Sequence, residues 1–180
     1  EKSFSKEDFI LDIGAGWGQF SIPLAKTNRV CSVEPTPEKI EFIKTVAKQE
    51  NVTENLFFIG SDYMEVEFQT KFDLILSIGV LEWIGAFRED GEAEELQAIF
   101  LAKTKADLVS DGRLVIGIEN RLGLKYLLGA NDDHIGIPDI ACHTKDLAKE
   151  KYKYITDNEL RCLTYSLAEY EKMLKNVGFK

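Results

Sequence analysis

Three glycines stand at alternate positions, Gly14, Gly16 and Gly18, straight after the apolar run Phe9-Ile10-Leu11-Asp12-Ile13. Glycine permits tight turns and lets a ligand come close to the backbone. A helix that follows such a loop offers unpaired N–H groups at its start. Asp12-Ile13-Gly14-Ala15-Gly16-Trp17-Gly18 therefore reads as a nucleotide-type binding loop. Gln19 departs from G-x-G-x-x-G spacing, the dinucleotide fingerprint. Asp12 sets a negative charge before the loop, which would not help a phosphate but would favour an ammonium or sulfonium cation. It can also cap the loop backbone, and the two roles are compatible. Glu34 ends a second apolar run, sixteen residues after Gly18. A carboxylate there can accept both hydroxyls of a ribose. Gly60-Ser61-Asp62 ends a third run, where Asp62 could accept an adenine amino group with Tyr63 or Ile59 beside the ring.

A second group could act on an acceptor. Glu82 and Trp83 follow an apolar run, Phe72 to Ile78, where ligands of open α/β sheets usually lie. His134 stands in Asn131-Asp132-Asp133-His134. It suits a general base near neutral pH, with Asp133 as the carboxylate that orients it. Arg121 and Lys125 lie four apart and could share a helix face as a small anion site, with Asn120 beside them. His134, Cys142, His143 and Cys162 fit no standard zinc spacing, so no metal site is expected. Plainer readings stand beside these: the glycines as turn residues, Glu34 and Glu82 as solvated carboxylates, Asp62 as a turn residue, Trp17 and Trp83 as core, His134 as a loop histidine, Arg121 and Lys125 as a solvated face.

The elements that must position these groups alternate. Residues 9–13, 29–34, 56–59, 72–78 and 113–118 read as strands, the last after a turn at Asp111-Gly112. Helices are expected over 19–26, from Thr36-Pro37-Glu38 onward with Thr36 as N-cap, over 93–108 behind the acidic run Glu89 to Glu95, and over 167–176 with Gly178 as its cap. This rhythm predicts an α/β fold, a doubly wound, mainly parallel sheet with right-handed crossovers. Residues 120–165 break it with glycines, Pro138 and polar residues, and read as an irregular acceptor or lid segment of a single domain over 1–180. Phe179-Lys180 reads as the start of a further strand.

The chain carries a formal charge of −9, which argues against a nucleic-acid partner bound through a basic face. No apolar run approaches the roughly 20 residues of a membrane span. Three cysteines far apart in sequence suggest a reduced, cytoplasmic protein. The abrupt ends suggest a fragment of a longer chain.

Taken together, the motifs resemble those of class I S-adenosylmethionine-dependent methyltransferases. Asp12 to Gly18 resembles their first motif and Val33-Glu34-Pro35 their second-strand acidic motif. Ser61-Asp62 resembles the adenine-contact position, and Phe72 to Trp83 the fourth-strand motif. Gly112-Arg113-Leu114-Val115-Ile116 is similar to the usual fifth strand. The resemblance covers nearly the whole chain in order. It implies a Rossmann-like fold and S-adenosyl-L-methionine as cofactor, lined by Asp12, Gly14, Ala15, Gly16, Gly18, Glu34, Pro35, Ser61, Asp62, Tyr63, Ser77 and Ile78. Ile118 to Tyr126 and Gly129 to His134 further resemble bacterial methyltransferase domains associated with cell-surface polysaccharide synthesis. That implies a sugar or glycan acceptor, whereas an unrelated small molecule stays open. Family domains continue for two more strands, so the sheet is expected to lack them and to expose an edge that allows a homodimer. Two rivals differ in class: a nicotinamide-dependent oxidoreductase, disfavoured by Asp12 and Gln19, and a non-catalytic cofactor-binding or scaffolding domain of a glycan-assembly protein.

Overall fold

The computed structural model describes residues 8–88 and 90–180. The first residues of the chain and Glu89, the head of the acidic run, lie outside them. The chain divides into two compact units. One holds the residues up to Ile78 together with Lys103–Gly117. The other holds Gly79–Ala102 and Ile118–Lys180. Where the sequence suggests one domain with an irregular insert, the fold groups that insert with residues 79–102.

The first unit is a five-stranded sheet built from β1 (Phe9–Ile13), β2 (Arg29–Val33), β3 (Leu56–Ile59), β4 (Phe72–Ile78) and β5 (Leu108–Gly117). Their order is β3-β2-β1-β4-β5, and each neighbouring pair is parallel. This is the expected doubly wound sheet, and the chain reverses its winding between β1 and β4. The central strands are continuous apolar runs, as strands covered on both faces must be. Leu11 and Ile75 are fully buried. Ile10, Val30, Leu56 and Leu74 share one core cluster with Ile43 and Ala47 of helix α2 (Pro37–Gln49). Helix α2 starts where Thr36 and Pro37 predict it, although the Thr36 side chain makes no capping bond.

Three elements differ from expectation. The helix after the glycine loop is only α1 (Ser21–Leu24), because the chain goes on into mixed turns, Lys26 N–H bonding Pro23 O and Asn28 N–H bonding Leu24 O. The turn at Asp111-Gly112 is a bulge inside β5: Phe72 pairs with Leu108, yet Leu74 pairs with Arg113. Gly112 is required there, since a Cβ would stand 2.9 Å from Leu108 Cδ2 and 3.0 Å from the Phe72 carbonyl oxygen. Strand β5 is an edge of the sheet, and Val115 on it is 40% exposed. No strand forms at Phe179-Lys180.

The second unit is helical. Helix α3 (Ala93–Asp107) runs through it as far as Ala102, and α4 (Leu124–Leu127), α5 (Lys145–Thr156) and α6 (Leu167–Asn176) complete it. Helix α5 falls in the stretch expected to be irregular. Its charged residues mask the apolar periodicity, but Thr144 precedes it and Asp157 ends it in the left-handed conformation. Helix α6 begins with a capping box of Ser166 and Glu169. At its end Gly178 takes φ of 89° while Phe179 N–H reaches Leu174 O, as the sequence predicts. No helix among the described residues is long and apolar enough to cross a membrane.

Candidate functional site

The parallel register brings the motifs together. Ile13 pairs with Val33 and with Ser77, and Val33 pairs with Ile59. The glycine loop, Glu34, the 60–62 turn and the end of β4 therefore all leave the carboxyl edge of the sheet, around the point where its winding reverses. Open α/β sheets bind ligands at that place.

The loop is tied down from within. Gly14 and Ala15 N–H groups bond Val33 O at 2.8 and 3.1 Å. Gly16 N–H donates to Glu34 Oε2 at 2.9 Å, and Gly18 N–H to Ala15 O at 2.9 Å. These four donors are spent on the fold, so the expected cradle of free N–H groups is not built from them. A helix of one turn adds little to it. What the glycines supply is conformation: Gly14, Gly16 and Gly18 take φ of 64°, 56° and 80°. A Cβ on Gly18 would meet Ile22 Cδ1 at 2.9 Å and Ile43 Cγ1 at 3.0 Å. Gly18 thus sets the close packing of the loop on α2.

Glu34 is 3% exposed and joins two loops. Its Oε1 accepts Thr36 N–H at 3.1 Å and lies 3.5 Å from Lys39 Nζ. Each carboxylate oxygen has further lone-pair capacity, so these bonds orient the group while leaving it able to accept hydroxyls. Pro35 beside it is exposed.

Asp12 is 2% exposed and accepts the Ser21 hydroxyl at 2.5 Å; Ser21 in turn accepts the Ser32 hydroxyl at 2.7 Å. Burial pushes its pKa up to about 6, against the lowering effect of the Ser21 bonds. These bonds tie Asp12 to the start of α1 and not to the backbone of the glycine loop. Asp62 accepts Met64 N–H at 2.9 Å and caps the short 3₁₀ turn Tyr63–Glu65, with Ser61 partly exposed before it. Tyr63 departs from expectation. It is 3% exposed, and its hydroxyl donates to Asp107 at 2.6 Å. A ring held among Phe68 and Asp107 cannot flank an adenine, whereas Ile59 remains partly exposed. Ser77 is fully buried with its hydroxyl oxygen unbonded, and Ile78 packs on the sheet core.

In the second unit Glu82, Trp83 and His134 do come together. The short turn Leu81–Trp83 buries Glu82 to 1% exposure. His134 Nε2 lies 3.4 Å from Glu82 Oε1 and 3.4 Å from Glu119 Oε2, and the Trp83 ring stands edge-on at 5.2 Å. On the other side His134 Nδ1 lies 3.5 Å from Asp132 Oδ1. The Asp132 and Glu82 carboxylates, with Glu119, hold its pKa up to about 10 against the opposing effect of burial. His134 flanked only by these groups is an imidazolium at neutral pH and has no lone pair with which to act as a base.

The orienting residue is also different. Asp133 is exposed and bonds Lys125 and Tyr126, while Asp132 faces the imidazole and accepts the His134 N–H at 2.8 Å. In a tight turn neighbouring side chains diverge, so adjacency in sequence chose the wrong aspartate. The anion site at Arg121 and Lys125 does not form either. Arg121 donates to Glu169 Oε2 at 2.8 Å and to His143 O at 3.0 Å, and Lys125 is paired with Asp133. Helix α4 starts only at Leu124, so the two do not share a helix face. Asn120 is exposed and forms an isolated bridge with Tyr165, and its side chain accepts Leu122 N–H at 2.9 Å. Glu119 and Asp132 were missed as site residues. Only their nearness in sequence to Asn120 and His134 hinted at them.

A parallel sheet that gathers a glycine loop and a buried acidic residue at neighbouring strand ends defines a nucleotide-cofactor-binding α/β protein. The family model of the methyltransferase domain matches residues 10–99, half of the chain, and the chain belongs to that family. It is 27% identical, over 93% of its length, to a ubiquinone biosynthesis O-methyltransferase of Rickettsia akari, of which it covers 66%. It is 28% identical to malonyl-[acyl-carrier protein] O-methyltransferase 2 of Ilyobacter polytropus, covering 97% of this chain and 67% of that one. The chain thus spans about two thirds of the length of these curated relatives. Among solved structures, a Nostoc punctiforme chain described as a candidate O-methyltransferase shares the fold with TM-score 0.62 and 22% identity, over 96% of this chain and 46% of that one. The N-methyltransferase NodS of Bradyrhizobium japonicum, solved with S-adenosyl-L-homocysteine, shares it with TM-score 0.51 and 20% identity, over 61% of this chain and 51% of that one. None of these names refers to a glycan.

Proposed function

We propose that this chain is the S-adenosylmethionine-binding catalytic domain of a methyltransferase whose acceptor is an oxygen of a small molecule or glycan. The observation that carries the reading is the Glu34 carboxylate, buried at the end of β2 and bonded to Gly16 of the loop that ends β1. One group thereby fixes the glycine loop and presents an acceptor for a ribose at the carboxyl edge of the sheet. Gly14, Gly16, Glu34, Asp62 and Ile78 are the residues we assign to the cofactor, with Asp12 tied to the start of α1.

Methyl transfer from a sulfonium is an in-line displacement: the carbon–sulfur bond breaks as the acceptor oxygen forms its bond to carbon, S-adenosylhomocysteine leaves as the neutral thioether, and any proton on the oxygen passes to water. Holding donor and acceptor in line is worth several kcal/mol of the barrier. An oxygen acceptor is supported by the two curated relatives, both named O-methyltransferases. A sugar acceptor is the narrower reading, and the resemblance of residues 118–126 and 129–134 supports it.

Calorimetric titration with S-adenosylhomocysteine, with NADH in parallel, tests the assignment. Binding in the micromolar range by the wild type is expected, with no heat from NADH. Glu34→Ala is expected to weaken it at least tenfold, about 1.4 kcal/mol or more. A folded chain that binds neither ligand would favour the scaffolding reading.

A further inference from the structure

We propose that Glu82, Glu119 and His134 form a binding site for one divalent metal cation inside the second unit. One oxygen of each carboxylate and one ring nitrogen of the histidine lie within 4.8 Å of one another. Ligands in cis positions on a cation with bonds of about 2.1 Å stand about 3 Å apart, so side-chain rotations alone would close the set. Binding displaces the proton that the carboxylates hold on His134, and the two carboxylates with the imidazole so freed balance a dication in charge.

Three independent features point to a cation. Glu82 is 1% exposed, yet its Oε2 has no hydrogen-bond partner. A buried carboxyl oxygen left without a partner is costly unless a donor or a cation meets it. Glu119 Oε2 is also buried and without a hydrogen bond. Finally, the imidazole stands with Nε2 toward both glutamates at 3.4 Å and Nδ1 3.5 Å from Asp132 Oδ1, a spacing at which Nδ1 makes no hydrogen bond. Metal-bound histidines are commonly oriented in this way, one nitrogen toward the ion and the other toward a carboxylate. Asp132 is itself fixed by the His134 and Ile135 N–H groups at 2.8 and 3.1 Å. It is therefore a positioning residue, not a ligand.

The donor set selects among ions. Oxygen ligands suit Mg²⁺, Ca²⁺ and Mn²⁺, and the imidazole shifts preference toward Mn²⁺ or Zn²⁺. Three protein donors leave the remaining positions of a six-coordinate ion to water or to a hydroxylated ligand. Cys162 takes no part; burial, with the charges of Glu82 and Asp132, pushes its thiol up to about 12, so it stays protonated.

The test uses the whole chain, stripped with chelator and titrated with MnCl₂, read by calorimetry and by loss of the free-ion paramagnetic resonance signal. One saturable site in the micromolar range is expected. Glu119→Gln and His134→Ala should each weaken it by more than the roughly tenfold that follows loss of an outer partner. Glu119 is the more exposed ligand, with 32% of its side chain accessible, so its variant should fold even where Glu82→Gln does not. S-adenosylhomocysteine binding by the same samples reports folding and separates this proposal from the cofactor assignment. Absence of saturable Mn²⁺ binding up to millimolar concentration overturns the metal site and leaves the methyltransferase reading standing, as does unchanged binding by both variants. Mn²⁺ binding without S-adenosylhomocysteine binding does the reverse.

Discussion

The two units are held together by different means. In the first, apolar strands do most of the work: Ile10, Val30, Leu56, Leu74 and Leu76 pack as one cluster with Ile43 and Ala47. Among its buried polar groups, Asp12, Ser21 and Ser32 form one hydrogen-bonded chain between β1, α1 and β2. In the second, the interior is organised around polar groups. Gln97 is fully buried, donates to Leu81 O at 2.9 Å and Leu163 O at 3.2 Å, and accepts the Tyr165 hydroxyl at 2.7 Å. Arg161 holds the carbonyls of Gly85, Arg88 and Gly91 at 2.8, 2.6 and 2.7 Å. Short helices expose many backbone ends, and long polar side chains satisfy them. A sheet satisfies its own backbone and needs apolar faces instead.

If that contrast is right, removing one polar side chain from the second unit should hurt more than disturbing the loop of the first. Gln97→Ala removes the side-chain donor from two buried carbonyls and the acceptor from a buried tyrosine hydroxyl, and opens a cavity. A loss of about 3–4 kcal/mol is expected in chemical denaturation. Gly18→Ala brings a Cβ against Ile22 and Ile43 at positive φ, and about 2 kcal/mol is expected, because two flexible side chains can give way. If Gly18→Ala proves the more damaging, the loop and not the polar interior is the weaker point.

The smallest effect is one of pH. Asp12 has its folded pKa raised to about 6, above its ordinary value of 3.8, chiefly by burial. The neutral acid is therefore the better-tolerated form in the fold. Its stabilising contribution is complete below the unfolded pKa and is lost as pH rises through about 6. The wild type should lose about 1 kcal/mol relative to Asp12→Asn between pH 5 and 8. Parallel stability curves for the two proteins would mean that Asp12 titrates normally and that its environment is wetter than the fold implies.

How far each unit could be read from sequence follows the same division. Strands β1 to β4 were legible because a buried parallel strand is an unbroken apolar run ended by a glycine or an acidic residue. Glu34 was legible for the same reason, as the acidic residue that ends the second apolar run. Tyr63 was misplaced because an aromatic after a turn can face either way, and only the presence of Asp107 decided for the interior. Helix α5 was hidden by its lysines and by Asp146 and Glu150. Asp133 was preferred to Asp132 because sequence gives adjacency but not direction.

The sequence by itself determined the order of strands and helices, the glycine loop, the acidic strand end and hence the family, because these depend on local backbone preferences and on short-range patterns of burial. Tertiary structure alone decided which charges meet. Glu82, Glu119 and His134 lie 37 and 15 positions apart along the chain, and no local rule relates them. Their convergence depends on how the turn after β4, the exit of β5 and the 131–134 loop pack together, and packing is a property of the folded whole.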